Sequence, residues 1–195
     1  MATVKSLEEH IRNKERVADL GEVFTPDWVV KEMLALLSKK VWAEKDLICL
    51  EPTCGNGQFL IGLVQVKMDC GLSPEEAVNT TFGMDIMKDN IEEARLRVLE
   101  VVLDRLKKQK NGPQTERVER IAAIICHNIF KVKDSLEFMK KPGIFDEDTD
   151  CWENYPFFDE DVTSTSTVLN KDDRKKALEM GKELVKKARL VNESK

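Results

Sequence analysis

The chain has two histidines in 195 residues, and its five cysteines, at positions 49, 54, 70, 126 and 151, form no CxxC pair and no His/Cys cluster with zinc spacing. A zinc centre is therefore not expected, and the thiols read as reduced, in a cytoplasmic protein. No apolar run approaches the ~20 residues that cross a bilayer, and the N-terminus alternates charge too densely for a signal peptide, so no membrane partner is expected. Internal repeats are lacking. Positive charge is also in deficit, with 31 Lys and Arg against 36 Asp and Glu and a formal net charge of -5. Duplex binding leans on lysine and arginine against phosphate, so a DNA-binding reading needs the basic residues gathered on one face. Residues 143–161 instead carry eight acidic side chains and no basic one, and residues 171–195 carry nine basic and five acidic. The first stretch reads as a solvated loop and the second as a solvated helix face.

Hydrophobic content of 42% and charged content of 34% describe a globular chain with enough length for one real core. Its most informative stretch is Leu50-Glu51-Pro52-Thr53-Cys54-Gly55-Asn56-Gly57-Gln58-Phe59-Leu60, where an apolar run meets a glycine-rich turn and then a helix. Residues 46–50 read as a buried parallel strand and 58–69 as a helix, with Phe59, Leu60, Leu63, Val64 and Lys67 at helical spacing. Gly55 and Gly57 allow close backbone approach to a ligand, and the helix N-terminus adds positive potential. An acid at the strand end, Glu51, argues against a phosphate ligand and for a cationic one. Cys54 reads as a small filler rather than a nucleophile.

Elsewhere the periodicity predicts helices over 7–20, stopped by Gly21, and over 26–40, capped by Thr25 and opened by Pro26. A second strand is predicted over 80–86, preceded by the capping box Ser73-Pro74-Glu75-Glu76. A long helix follows over 89–109, ended by Asn111-Gly112-Pro113, and a third strand over 121–126. Residues 135–141 suggest a short helix, 162–169 a strand or linker, and 171–191 an amphipathic helix with Leu184, Ala188 and Val191 on one side. Three segments follow: 1–142 as the main domain, 143–170 as an acidic linker, and 171–195 as a C-terminal helix.

Four motifs stand in order: Gly21-Glu22-Val23-Phe24-Thr25-Pro26, the glycine-rich turn, Phe82-Gly83-Met84-Asp85-Ile86, and Ile124-Ile125-Cys126-His127-Asn128-Ile129-Phe130. This series resembles motifs X, I, II and III of the amino-directed, adenine-N6 DNA methyltransferases, over about residues 15–135. The resemblance implies a Rossmann-like α/β methyltransferase fold, apparently truncated to three clear parallel strands with an added C-terminal helix. It also implies S-adenosyl-L-methionine as cofactor. Phe24, Thr25 and Pro26 would border the methionine end; Glu51, Pro52, Thr53, Gly55, Gly57 and Phe59 would form the motif I turn, with Glu51 and Gly55 at the amino-acid moiety. Asp85, with Ile86 beside it, would meet the ribose hydroxyls, and Asn128 with Ile129 the adenine. The family usually places aspartate where Asn128 stands, although an asparagine carbonyl also accepts from an amine. His127 reads as a strand-end histidine and His10 as a helix-surface residue.

The family also carries an Asn-Pro-Pro-aromatic tetrad that holds a flipped-out base. Asn154-Tyr155-Pro156-Phe157 keeps three of its four positions, making Asn154, Pro156 and Phe157 the candidate catalytic residues. Three readings stay open. One is a reduced or split adenine-N6 DNA methyltransferase of restriction-modification type, meeting DNA directly or through a partner. Another is a catalytically inactive S-adenosylmethionine-binding regulator, decoy or partner subunit. The third, a small-molecule or protein methyltransferase, is made least attractive by Phe24-Thr25-Pro26. With strand order 3-2-1 the first strand lies at an edge, which predicts a homodimer or a complex with another methyltransferase-like subunit, clamped by the last helix.

Overall fold

Every residue of the strand Thr81–Asp85 is buried, as expected for the middle of a parallel sheet covered on both faces. The structure is a computed structural model and describes residues 14–139 and 171–193. It is an α/β protein whose three-stranded sheet runs β1 (Cys49–Glu51), β2 (Thr81–Asp85), β3 (Ile129–Lys131), with both pairs parallel. Cys49 pairs with Thr81 and Gly83 with Ile129, and each of the two pairings runs for only three residues. Parallel pairs require long crossovers, and helices supply them.

In chain order the helices are α1 (Lys14–Leu20), α2 (Asp27–Leu34), α3 (Lys39–Trp42), α4 (Gln58–Asp69), α5 (Pro74–Asn79), α6 (Lys88–Lys107), α7 (Thr115–Asn128), α8 (Ser135–Met139) and α9 (Lys171–Glu193). Helix α4 packs on β1 and β2, α6 on β2 and β3, and α9 along α7. Leu60 and Val64 of α4, Leu99, Val102 and Leu106 of α6, and Ile121 and Ile125 of α7 meet in one core with Ile129 of β3. No described helix is long and apolar enough to cross a membrane.

Several expected elements stand where sequence chemistry placed them. The Ser73 side chain accepts from Glu76 N at 3.2 Å while Glu76 Oε2 accepts from Ser73 N at 2.8 Å, a complete capping box opening α5. Lys67, on the buried face of α4, is wholly enclosed, and its ammonium donates to Leu47 O at 2.8 Å, Thr80 O at 2.9 Å and Thr80 Oγ1 at 2.8 Å. It ties the approach to β1 to the residue before β2.

Four expectations are corrected. The first strand, expected as buried over 46–50, is Cys49–Glu51 and only half-buried. Residues 121–126, expected as the third strand, are the last two turns of α7, and β3 follows at Ile129–Lys131. The apolar run fits a helix buried on two sides: Ile121, Ala122 and Ile125 face the core, while Ala123 N and Glu119 O lie against Gly181 of α9. The helix expected over 26–40 breaks after Leu34, and Thr25 does not cap it. Pro26 is the N-cap, with extended ψ and no side-chain cap bond, so the helix begins one residue later. Leu184 and Ala188 of α9, expected to clamp an open sheet edge, are buried against α7 and α6.

Candidate functional site

The glycine-rich turn is built by short-range geometry and then pinned from outside. Cys54 N donates to Met84 O at 2.8 Å and Gly57 N to Cys54 O at 2.8 Å. Gly57, with φ +86°, sits so close to α6 that a Cβ would lie 2.8 Å from Ala94 Cβ. Gly55, with φ +51°, lies under the Phe24 ring, which a Cβ would meet at 3.3 Å. From α6, Arg97 donates to Asn56 O at 2.9 Å, and Glu93 Oε1 accepts from Asn56 Nδ2 at 3.2 Å. The central tether is Gly55 N donating to Asp85 Oδ2 at 2.9 Å. The turn is thus held by β2 on one side and by α6 on the other.

Beside it opens a cleft of about 470 Å³, within the range of small-molecule and cofactor sites. One wall is the N-terminal segment Leu20, Gly21, Glu22, Val23 and Phe24; the floor is Thr53, Gly55, Asp85, Ile86, Met87 and Asn90; the far wall is Lys133, Asp134, Ser135 and Leu136. The cleft thus forms where the ends of β1, β2 and β3 open out, the ligand-binding position general to open α/β sheets. Three carboxylates and one lysine line it. That balance suits a cationic ligand and disfavours a phosphate.

Asp85 is buried, and its carboxylate already accepts from Gly55 N, from Met87 N at 2.7 Å and from Asn90 Nδ2 at 3.3 Å. The residue expected to meet the ribose therefore also organises the floor. Glu51 stands one step behind the lining, accepting from Thr53 Oγ1 at 3.5 Å, and burial pushes its carboxyl above the usual range. The Cys54 thiol is likewise pushed up by burial, which makes it unreactive.

Of the residues expected at the cofactor, Phe24, Thr53, Gly55, Asp85 and Ile86 line the cleft. Thr25, Pro26, Glu51, Pro52, Gly57, Phe59, Asn128 and Ile129 do not form its lining. Pro52 and Gly57 shape the turn instead, and the Pro52 carbonyl accepts from Ser135 Oγ, joining the turn to the far wall. Asn128 is committed elsewhere: its Nδ2 donates to Val78 O and Asn79 O, each at 3.0 Å, from the last residue of α7. His127 lies in the same last helical turn rather than at a strand end. Asn154, Pro156, Phe157 and His10 lie outside the described residues.

Sequence reasoning missed Glu22, Asn90 and the Asp134-Ser135-Leu136 wall. Asp134 follows β3 and opens α8, its Oδ1 accepting from Leu136 N at 2.8 Å and Glu137 N at 3.0 Å. An acid after an apolar strand is the available signal, and it is obscured because the apolar run 121–126 reads as that strand although it lies in α7. Among the described residues no cluster of His, Cys, Asp and Glu suits a metal ion. No protein family, curated protein or solved structure matches the chain.

Proposed function

We propose that this chain binds S-adenosyl-L-methionine and belongs to the adenine-N6 DNA methyltransferases in a reduced or split, Rossmann-like form. The observation that carries the proposal is convergence. Phe24, the Thr53–Gly55 turn and Asp85 with Ile86 come from three separate motifs of the resemblance, and they meet around one acidic cleft of cofactor size. The aspartate that the family places after its third strand is then Asp134 rather than Asn128. The second oxygen of its carboxylate would take the adenine amine, Asp85 the ribose, and Thr53 and Gly55 would lie toward the amino-acid end. The ligand's sulfonium and ammonium match the carboxylate excess of the cleft. When bound there, the cofactor supplies an electrophilic methyl group; the chain's own residues hold and orient it.

A second reading, an inactive S-adenosylmethionine-binding regulator or partner subunit, is favoured by the surface. Trp28, Met33, Leu36 and Leu37 are exposed on and after α2, and β1 pairs on one side only among the described residues. Large apolar side chains exposed this close together in sequence are material for a contact surface. The occupant would be a second copy or another methyltransferase-like subunit, through which DNA is reached. Incubation of the purified chain with labelled S-adenosylmethionine and adenine-containing duplexes, with binding and transfer scored separately, tests both readings. Binding with transfer to adenine selects the enzyme; binding without transfer selects the regulator; no binding rejects both.

A further inference from the structure

Helix α2 is apolar on two sides and packed on one. Its inner side presses on α4: Val30 is buried, and a Cβ at Gly62 would stand 2.7 Å from Val30 Cγ1 and 2.8 Å from Leu34 Cδ1. Its outer side exposes Trp28 and Met33, and the turn that follows exposes Leu36 at 83% together with Leu37. Ala35 keeps helical φ and ψ, and Leu36 N donates to Met33 O at 3.2 Å, so the helical row continues past the last residue of α2. At four-residue spacing Trp28, Glu32 and Leu36 then share one face, turned away from Val30 and Leu34. A helix apolar on both sides is normally buried on both, and this one lacks its outer cover.

Charge identifies the cover. Glu32 stands four residues before Leu36, and Lys40 of α3 stands four residues after it. Glu32, Lys39 and Lys40 are exposed, and none has an ion pair among the described residues. Their neighbours do: Lys31 holds Asp27 at 2.5 Å and Lys45 holds Glu76 at 2.8 Å. Even wound as helix, eight residues span about 12 Å, so Glu32 and Lys40 do not meet within one chain. A two-fold axis through Leu36 exchanges them, because in such a contact residue i meets j and j meets i. A second copy is guaranteed to carry the matching charges at the matching distance. We propose that α2 and the turn after it form a two-fold contact between two copies of this chain, with Leu36 at the axis and a Glu32 to Lys40 pair on either side. This names the occupant of the contact surface in the second reading above and rests on that surface, not on what the cleft holds. None of these residues lines the cleft. Four large side chains make a small interface, so the dimer is weak and concentration-dependent.

Sedimentation equilibrium of the full-length chain over a concentration series without ligand tests the contact, with thermal melts of every variant alongside. The parent is expected to pass from monomer to dimer. Leu36→Asp is expected to weaken that association at least tenfold at unchanged melting temperature, since it places two carboxylates at the axis and removes nothing from the core. Glu32→Lys and Lys40→Glu each set like charges against one another and are expected to weaken it about tenfold. Combined in one chain, the two substitutions restore opposite charges across the axis, and association returns to the parent's strength. A parent that stays monomeric throughout, a dimer indifferent to Leu36→Asp, or a combined variant no stronger than the single ones overturns the proposal. Calorimetry with S-adenosylmethionine on the same samples keeps the two readings apart: a chain that dimerises in this way but binds no S-adenosylmethionine loses the cofactor reading and keeps this one.

Discussion

Gly55 N donates to Asp85 Oδ2 at 2.9 Å, joining the turn after β1 to the end of β2 across 30 residues of chain. One buried carboxylate thereby sets the shape of the glycine-rich turn, receives Met87 N at the entry to α6 and meets Asn90 one turn further on. In the cleft, folding and the proposed ligand recognition share this residue.

Asp85→Ala is accordingly expected to lower stability as well as ligand affinity. Charge-assisted hydrogen bonds contribute about 1.5–3 kcal/mol each, and Gly55 N would be left without its acceptor. Urea denaturation should show a loss of about 2–4 kcal/mol, with partial recovery in Asp85→Asn, whose carbonyl still accepts. A variant as stable as the parent would mean that the tether contributes nothing to the fold.

The sign of one substitution tests whether α9 is docked. In a free helix Gly181→Ala stabilises by about 1 kcal/mol, because alanine is the better helix former. Against α7 a Cβ at Gly181 would stand 2.6 Å from Ala123 N and 2.8 Å from Glu119 O, backbone atoms that cannot move aside. The variant is therefore expected to be destabilised by about 1–3 kcal/mol, as overpacked sites are. A rise in melting temperature would contradict the packing of α9 on α7.

Lys67 sets a pH dependence. Burial pulls its ammonium below the ordinary value of 10.5. Between the lowered folded value and 10.5 the unfolded chain binds more protons than the folded one, so stability rises with pH through that window. Below the window the charge is a fixed burden, partly offset by its bonds to Leu47 O and Thr80 O. Urea midpoints of the parent should climb as pH rises toward 10.5, and Lys67→Met should remove that climb. At pH 7 the variant is expected to lose about 1–3 kcal/mol, since the Leu47 carbonyl loses its donor. A parallel pH profile in the variant would assign the dependence to other groups.

Much of the scaffold was legible from local chemistry. Phe59, Leu60, Leu63 and Val64 mark α4 by spacing, Ser73 and Glu76 mark the start of α5 by their box, and the strand order follows from the sequence of motifs. What was not legible depends on long-range contact. Residues 121–126 look like a strand because both faces are apolar, and the second face is apolar only because α9 arrives some fifty residues later to cover it. Misplacing that strand carried the third motif with it, to Asn128, whose amide serves the Val78 and Asn79 carbonyls, and away from Asp134 at the cleft. Glu22 was visible as part of a motif. Its role was not, since only the fold brings it to Asn90, 68 residues on.

The central claim is that the acidic cleft at the strand ends holds S-adenosylmethionine. Calorimetric titration of the full-length chain with that ligand, run in parallel on the parent and on Leu136→Trp, addresses it most directly. Leu136 lines the cleft, is 65% exposed and supports no core packing, so a bulky ring there obstructs the site without disturbing the fold. The account predicts one molecule bound per chain by the parent and at least tenfold weaker binding by the variant at unchanged melting temperature. A parent that takes up no S-adenosylmethionine, or a variant that binds it as tightly as the parent, would contradict it.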